Sequence, residues 1–596
     1  MFSALTGFLF GRKAATADEP PIVSSQASSP PVFEEDAFYE APEFNIDDYR
    51  PMKVRCIGAG FSGIACALRQ KVQNLDFKIY DKQDGVGGTW YANTYPGIAC
   101  DVPSHCYQFS FEDYSQWSKF YSPGSEIHAN IERMVDKYKI RQYIHLRHEL
   151  TNAKWDQSTG KWTIRVRHYV ADTQKEEEFE ETCDVLLLCV GSLSRWRWPD
   201  IPGLKEFRGA LVHSAQWNID EEEVEGKRVG VIGNGSSGIQ IVAALQPKAK
   251  TLVNYCRQKT WIAPVLTLQA TLAQLGRSPN DKDYNFTAEE LEKLRNPQFA
   301  KEFRKAVERG QNAFHLLTMR DSSMQKEVRA MFEDSMKKSL GERPELIDKI
   351  IPDFSVFCRR LTPGNGYLEA LCADNTTCET TPIKCITPTG IELVDGRHNE
   401  LDILICATGF DVSFHYPFDI VGRDSMKLND RWTPYPEAYM SVSVDGFPNM
   451  FLLYGPGSGL NTGTIVSMVE RQAMYVAKCA MKMQRERLKS MEPKKEATRD
   501  WMQHMRHFFP KTVYTDNCKN WYTAKDGTII GLWPGHNLHA IRALENPRWE
   551  DYEYERMDDT PNRLFWLGDG QTVNERNMTG DLVWYLDDVD VPPIPQ

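Results

Sequence analysis

Two stretches of this chain repeat one design. "VRCIGAGFSGIACAL" sets Gly58, Gly60 and Gly63 between an apolar run and a run of small residues. "KRVGVIGNGSSGIQIVAAL" does the same with Gly233, Gly235 and Gly238. Each reads as a strand, a tight turn and a helix. Glycines in G-x-G-x-x-G spacing let the backbone turn sharply and let a pyrophosphate approach, while the helix N-terminus offers unpaired N–H groups and a positive dipole end. An ordinary strand-to-helix turn needs no such spacing. Two copies call for an α/β fold with two Rossmann-like dinucleotide-binding domains, and 596 residues are enough for two or three domains.

The residue ending the second strand of each unit separates the two sites. In "FKIYDK", Asp81 lies 23 residues beyond Gly58, where a carboxylate accepts hydrogen bonds from ribose hydroxyls. In "TLVNYCRQ", the equivalent position, 24 residues beyond Gly233, is Arg257. A carboxylate repels a 2′-phosphate and a guanidinium binds it. The first site therefore suits a dinucleotide with a free ribose, and the second suits NADPH, with Asn234, Ser236, Ser237 and Gln258 beside the glycines and Arg257. Two dinucleotides in one chain point to electron transfer between them, FAD with NADPH being the usual pair. "CDVLLLCVGSLS" (183–194) and "LDILICATGFD" (401–411) read as further buried strands ending beside a cofactor, the second as a return to the first sheet.

Composition narrows the alternatives. A formal net charge of -12 argues against a nucleic-acid partner. No apolar run approaches the ~20 residues that span a bilayer. "MFSALTGFLFGRK" has its basic residues after its apolar ones, the reverse of a signal peptide, and reads as a frayed terminus, with a membrane-touching helix as the alternative. These readings place the chain in the cytoplasm. The fourteen cysteines include no C-x-x-C, which removes the usual zinc spacings and the dithiol redox motif. Many of the cysteines lie inside apolar runs, such as Cys56, Cys189 and Cys406, and read as small buried hydrophobes in a reducing compartment. His536 and His539 have helical metal spacing without an acid or cysteine partner, so a structural role is expected.

The chain divides into a disordered tail (1–49), a first cofactor domain (50–200 and 400–596), a second (201–270 and 351–399), and a polar helical insertion (271–350) in which Thr287 and Glu290 form a capping-box pattern. "FRGALVHSAQW" falls between the two glycine turns and reads as the hinge joining the cofactor domains, with His213 and Trp217 coupling them. The insertion and the loop "PGSGLNTGTIVSM" are expected to shape a substrate pocket.

The chain resembles the class B flavoprotein monooxygenases, and among them the Baeyer–Villiger monooxygenases, over residues 50 to 590. Phe207, Gly209, His213 and Trp217 match the family pattern F-x-G-x-x-x-H-x-x-x-W between the two glycine motifs. "GGTWYANTYPGIACD" matches a second pattern through Gly87, Gly88, Trp90, Tyr95, Pro96, Gly97 and Asp101. Thr94 stands where the family often has arginine, and Asn218 where it often has proline or aspartate. "FCRRLTPGNGYLEAL" and the stretch from Trp533 to Glu555 are similar to fungal members of secondary metabolism.

The resemblance implies that NADPH reduces FAD, that O2 then reacts, and that one oxygen atom enters beside the carbonyl of a lipophilic ketone to give an ester or lactone. Arg360 matches the active-site arginine, a cation that keeps its proton near neutral pH. Asp101 matches its carboxylate partner, and Arg359 stands where a lysine often reaches the NADPH 2′-phosphate. Gly88, Thr89, Trp90, Tyr91, Ala92, Asp101 and Tyr107 are implied around the flavin. Three alternatives stay open: oxygenation of a nitrogen or sulfur atom, a disulfide reductase (opposed by the missing C-x-x-C), and a scaffold that has lost its cofactors.

Overall fold

Strands covered on both faces are apolar along their whole length, because no face meets water. The runs "VLLL", "VGVI" and "ILIC" have that character, and "VRCI" departs from it at Arg55, whose buried guanidinium pairs with Asp76 and Glu181; each is a strand in the computed structural model. The structure describes residues 42–70, 75–170, 175–263, 268–278, 284–341, 343–557 and 562–587.

Two five-stranded parallel sheets organise residues 47–559. The first contains β1 (Lys53–Ile57), β2 (Asp76–Asp81), β3 (Ile144–Leu146), β7 (Val185–Leu188) and β17 (Met450–Leu452), in the order β17-β7-β1-β2-β3. The second contains β8 (Ala210–His213), β9 (Arg228–Ile232), β10 (Thr251–Tyr255), β11 (Thr376–Glu379) and β15 (Ile403–Cys406), in the order β11-β10-β9-β15-β8. Smaller sheets flank them. β4 (His148–Asp156), β5 (Lys161–Val170), β6 (Lys175–Cys183) and β16 (Asp419–Val421) form one; β12 (Ile383–Thr387), β13 (Gly390–Leu393) and β14 (His398–Glu400) form another; β18 (Leu488–Pro493) pairs with β19 (Tyr552–Arg556).

The glycine turns open α1 (Phe61–Gln70) and α4 (Ser236–Leu245). Between these helices lie α2 (Thr89–Ala92) and α3 (Gly124–Lys137). The insertion is helical as expected: α5 (Leu268–Leu275), α6 (Ala288–Leu294), α7 (Pro297–Asn312), α8 (Ser323–Ser339) and α9 (Ile347–Ile350). Its starts are written locally. Thr287 and Glu290 form the capping box, Asn296 caps α7 ahead of Pro297, and Ser322 caps α8. The insertion is shared between two cores. Leu294, Phe303 and Val307 pack into the core of the first sheet, whereas Phe332, Met336 and Ile350 pack into that of the second.

The strand 403–406 corrects one expectation. It lies in the second sheet between β9 and β8, not in the first. A buried apolar run carries no address of its sheet. Here the address is Asp402, whose carboxylate accepts from the backbone N–H of Arg228 at 2.8 Å and from its guanidinium at 2.8 and 3.1 Å. The return to the first sheet is made by β17.

The chain crosses between the sheets twice, and the crossings run together. Trp196 and Phe410 form an antiparallel bridge, and Asp411 donates its N–H to Arg195 O at 2.8 Å. The stretch expected to be a hinge is not one: residues 210–213 are the edge strand β8, with Phe207 buried and Trp217 packed on the second core. Gly209 is required there, since a Cβ would sit 2.3 Å from Asp402 O.

Residues 42–46 and 562–587 fall in a separate unit. Of the tail expected over 1–49, residues 1–41 lie outside the described residues, and so does the reading of the apolar N-terminal segment. Residues 44–46 are not loose: Ile46 N–H donates to Gln571 O at 3.1 Å, and Asp569 N–H to Phe44 O at 2.9 Å. These partners lie more than 500 residues away in sequence, beyond the reach of local composition.

Candidate functional site

The first turn is built as the glycines require. Gly58 has φ +114°, and a Cβ on it would lie 2.4 Å from Cys189 O; a Cβ on Gly63 would lie 2.0 Å from Gly58 O. Gly60 faces Gly88, the residue that opens α2, leaving two backbones side by side with no side chain on either. Gly87 N–H donates to Ala59 O at 3.0 Å, so Thr89, Trp90, Tyr91 and Ala92 of α2 stand beside this turn. Asp81 is buried at the end of β2, accepting from Ala59 N–H at 2.6 Å and Gln83 N–H at 2.8 Å. Burial pushes its carboxyl up, and the two backbone bonds offset only part of this. Trp90 donates its indole N–H to the Tyr107 hydroxyl at 3.2 Å, the rings meeting edge to face. Burial raises the Tyr107 phenol well above its ordinary value.

The second turn repeats this geometry. Gly233 has φ +115°, and a Cβ on Gly238 would lie 2.3 Å from Gly233 O. Gly235 caps α4 without any side-chain cap, and a Cβ there would meet nothing within 4 Å. The first N–H groups of α4 thus face an open cradle, a setting suited to a phosphate. Ser236 hydrogen-bonds Thr362 at 2.7 Å, and the Asn234 amide donates to Gln258 O at 2.6 Å. Arg257 is exposed at the end of β10. Arg359 comes close to it and donates to Lys259 O at 3.0 Å. Neither arginine forms a salt bridge among the described residues. Burial first, and the Arg257 charge after it, lower the Arg359 pKa. Two cations drawn together without a carboxylate make a place for a polyanion.

The motif Tyr95-Pro96-Gly97 explains how the halves meet. Tyr95 donates its hydroxyl to Gln240 Oε1 on α4 at 2.9 Å, and Gln240 Nε2 donates back to Ala99 O at 3.1 Å. Gly97 has φ +80° and no room for a Cβ, which would sit 2.7 Å from Gln240 O. This docking carries Asp101 to Arg360. The pair is bidentate: Arg360 Nε donates to Oδ2 at 2.8 Å and Nη2 to Oδ1 at 2.9 Å, while Nη1 donates to Leu460 O at 3.1 Å. About a quarter of each side chain (25% and 27%) stays exposed. Burial opposes the Arg360 charge, but the charge and hydrogen bonds of Asp101 more than compensate, so its pKa lies above the ordinary value.

Asp101 and Arg360 line an open cleft with Tyr121, Gln311, Phe314, Phe357 and Asn461. Gln311 and Phe314 come from the insertion segment, and Asn461 with Gly463 from the loop "PGSGLNTGTIVSM". Both segments singled out as pocket-shaping contribute to this wall. His213 does not line it. Its buried ring stacks on Trp196 with centroids 4.4 Å apart; Nδ1 accepts from Ala215 N–H at 3.1 Å, leaving Nε2 facing Thr408 Oγ1 at 3.4 Å. Burial lowers its pKa to about 4, so the ring is neutral. It braces the paired crossings. His536 caps the helix Asn537–Ala543 through Leu538 N–H, and His539 accepts from the Trp533 indole at 2.9 Å. No cluster suited to a metal occurs among the described residues.

One feature of the site was missed. Cys358, next to the two arginines, forms a disulfide with Cys518. The cysteines in apolar runs, Cys56, Cys189 and Cys406 among them, are buried free thiols as read, but the expectation of a wholly reduced set is corrected by this pair; the other twelve are free thiols. A separation of 160 residues leaves no local spacing to read.

Residues 51–269 match the family described as flavin-binding monooxygenase-like. An FAD-binding monooxygenase of Aspergillus terreus, tazF, is 38% identical over 90% of this chain and 95% of its own length. A Baeyer–Villiger monooxygenase of Pseudomonas aeruginosa is 34% identical over 83% of this chain and 90% of its own. The chain belongs to the flavin-binding monooxygenase family, on its Baeyer–Villiger branch. Among solved structures, a steroid monooxygenase bound to NADP matches with TM-score 0.72 and 26% identity, covering 85% of this chain and all of that one. A cyclohexanone monooxygenase from Rhodococcus sp. Phi1 bound to NADP+ matches with TM-score 0.72 at 25% identity and the same coverage. Monooxygenases of this branch share the two-sheet plan described above, and no helix among the described residues is long and apolar enough to cross a membrane.

Proposed function

We propose that this monooxygenase uses FAD and NADPH to insert one oxygen atom of O2 beside the carbonyl of a lipophilic ketone, giving an ester or lactone. The observation that carries the reading is the bidentate Asp101–Arg360 pair lining an open cleft in a chain with two dinucleotide-type turns. FAD, reduced by NADPH, supplies the electrons that activate O2. The residues present fit it. Gly58, Gly60 and Gly88 leave backbone free for a pyrophosphate, Asp81 has acceptor capacity left for a ribose, and Thr89, Trp90, Tyr91, Ala92 and Tyr107 stand where an isoalloxazine would be bordered. NADPH fits the second turn: Gly235, Ser236, Ser237 and the α4 N-terminus for its pyrophosphate, Arg257 and Arg359 for its 2′-phosphate, Asn234 and Gln258 alongside.

In this reading the FAD half is built on the first sheet, the NADPH half on the second, and the insertion spans them. Arg360 remains protonated throughout and stabilises negative charge on oxygen in the cleft, where a preorganised donor acts most strongly. Asp101 orients it and offsets its buried charge. The Phe314, Phe357 and Tyr121 walls favour an apolar substrate. Fungal secondary metabolism and a cytoplasmic site of action go with the relatives' chemistry and the cofactors. The test is a panel of ketones, thioethers and amines with the yellow holoenzyme and NADPH. Ester or lactone from ketones alone supports the reading; N- or S-oxides with unchanged ketones overturn it.

A further inference from the structure

The loop that carries Arg359 and Arg360 is fastened from several sides. Thr362 bridges to Ile262, and Ala263 N–H donates to Thr362 O at 2.9 Å. The Trp261 indole donates to Phe354 O at 3.1 Å. Against its other side lies the segment 516–522. Asp516 accepts from Ser355 N–H at 3.3 Å, Asn520 Nδ2 donates to Cys358 O at 3.3 Å, and the Tyr522 hydroxyl donates to the same carbonyl. The covalent tie is Cys358–Cys518. The chain beyond this segment is tied to a second loop that lines the cleft: Gly457 and Gly459 donate their N–H groups to Ile530 O and Gly531 O, both at 2.7 Å, just before Asn461 and Leu460, whose carbonyl accepts from Arg360 Nη1. The disulfide therefore joins the arginine loop to a stretch of chain that also holds the second cleft-lining loop.

The two sulfurs differ in access. Cys358 is fully buried, whereas Cys518 is partly exposed, between the exposed Asn517 and Lys519. A thiolate arriving from solvent meets Cys518 first.

We propose that Cys358–Cys518 is a thiol–disulfide control site that sets how firmly the arginine loop is held, and through it the affinity for a 2′-phosphorylated nicotinamide dinucleotide. This rests on the reading of Arg359 and Arg257 given under Proposed function. A dithiol reductant, R(SH)2, attacks Cys518 Sγ as a thiolate. The S–S bond breaks, its electron pair passes to Cys358 Sγ, and that sulfur takes a proton. The second thiol of the reductant, deprotonated, attacks the mixed disulfide and releases Cys518, which takes the second proton. The balance is protein disulfide plus R(SH)2 giving two protein thiols and the cyclic disulfide of R. A two-electron oxidant such as hydrogen peroxide reverses it, forming the S–S bond and two molecules of water. In the dithiol form the loop keeps its hydrogen bonds and loses its covalent tie. Arg359 is then less preorganised, and binding bears the cost of ordering it.

The experiment uses the full chain as the FAD holoenzyme, purified without reductant. Peptide mapping after alkylation should show Cys358 and Cys518 linked, becoming alkylated after dithiothreitol. NADP+ titration should give a Kd roughly tenfold weaker in the reduced form. Cys518→Ser, which leaves the buried Cys358 thiol in place, should have the weaker Kd without reductant and should not respond to it. Flavin content and melting temperature report whether each form is folded. Two outcomes overturn the proposal: both cysteines alkylating freely in protein that never met reductant, or a linked pair whose reduction leaves the NADP+ Kd unchanged in folded protein. The second leaves the proposed function intact. Absence of NADP+ binding in both forms overturns the proposal together with the nucleotide assignment beneath it.

Discussion

Arg360 is held by three acceptors, the two carboxylate oxygens of Asp101 and the Leu460 carbonyl, and still keeps a quarter of its side chain open to the cleft. Among the described residues its neighbour Arg359 donates only to the Lys259 carbonyl, and it sits beside another cation. The contrast separates their roles. Replacing Arg360 with Ala should leave flavin bound and reducible by NADPH, yet cut product formation roughly 10²–10³-fold, a size typical of losing one preorganised donor at developing negative charge. Arg360→Lys should recover little, since an ammonium cannot fork onto Asp101; product yield against NADPH consumed reads both variants. Arg257→Ala should raise the KM for NADPH by roughly 10–100-fold, the loss of a charge-assisted hydrogen bond, and leave that for NADH nearly unchanged. An equal rise for both coenzymes would remove Arg257 from the 2′-phosphate.

At the scale of elements, β8 and the two crossings form one junction, and His213 is its buried titratable group. Its folded-state pKa, about 4, lies below the ordinary 6.5, because burial disfavours the cation. His105, packed between Phe286 and Phe303, is lowered in the same way to about 3. For such a group the unfolded chain takes its proton first as pH falls. The contribution to stability is complete above pH 6.5 and is lost as pH drops through 6.5 toward 4. Denaturant midpoints should therefore decline over that interval, and His213→Asn should flatten the decline by on the order of 2 kcal/mol. A pH profile identical to the parent's would contradict this. Gly97→Ala tests the docking of the halves: with positive φ and a Cβ 2.7 Å from Gln240 O, it should cost roughly 1–3 kcal/mol and loosen Asp101 from Arg360.

These elements also show what can be read from local sequence. The glycine turns, the Asp81–Arg257 sign reversal and the capping box at Thr287 follow from short-range chemistry, whereas the Asp101–Arg360 pairing, 259 residues apart, is reached only through the family resemblance. The sheet that receives 403–406 depends on Asp402 meeting Arg228, 174 residues away, and no periodicity carries that. The strand 450–452 is three residues long and gives no alternation to count. A hinge and an edge strand share the composition of "FRGALVHSAQW", and only pairing with β15 separates them. Cys358 and Cys518 lie in unlike surroundings in sequence and meet only because the C-terminal segment folds back against the arginine loop.

For the whole molecule, the two parallel sheets supply the nucleotide-type turns, the insertion closes over both cores, and the Tyr95–Gln240 and Asp101–Arg360 contacts bring one half's carboxylate to the other's cation. Such an arrangement couples NADPH oxidation to transfer of a single oxygen atom. The direct measurement is turnover of a ketone by the holoenzyme under ¹⁸O₂ with NADPH, followed by product mass and peroxide assay. The account predicts one ¹⁸O atom in the ester or lactone and close to one product per NADPH consumed. NADPH consumption that yields only hydrogen peroxide with every ketone, or product lacking the label, would contradict it.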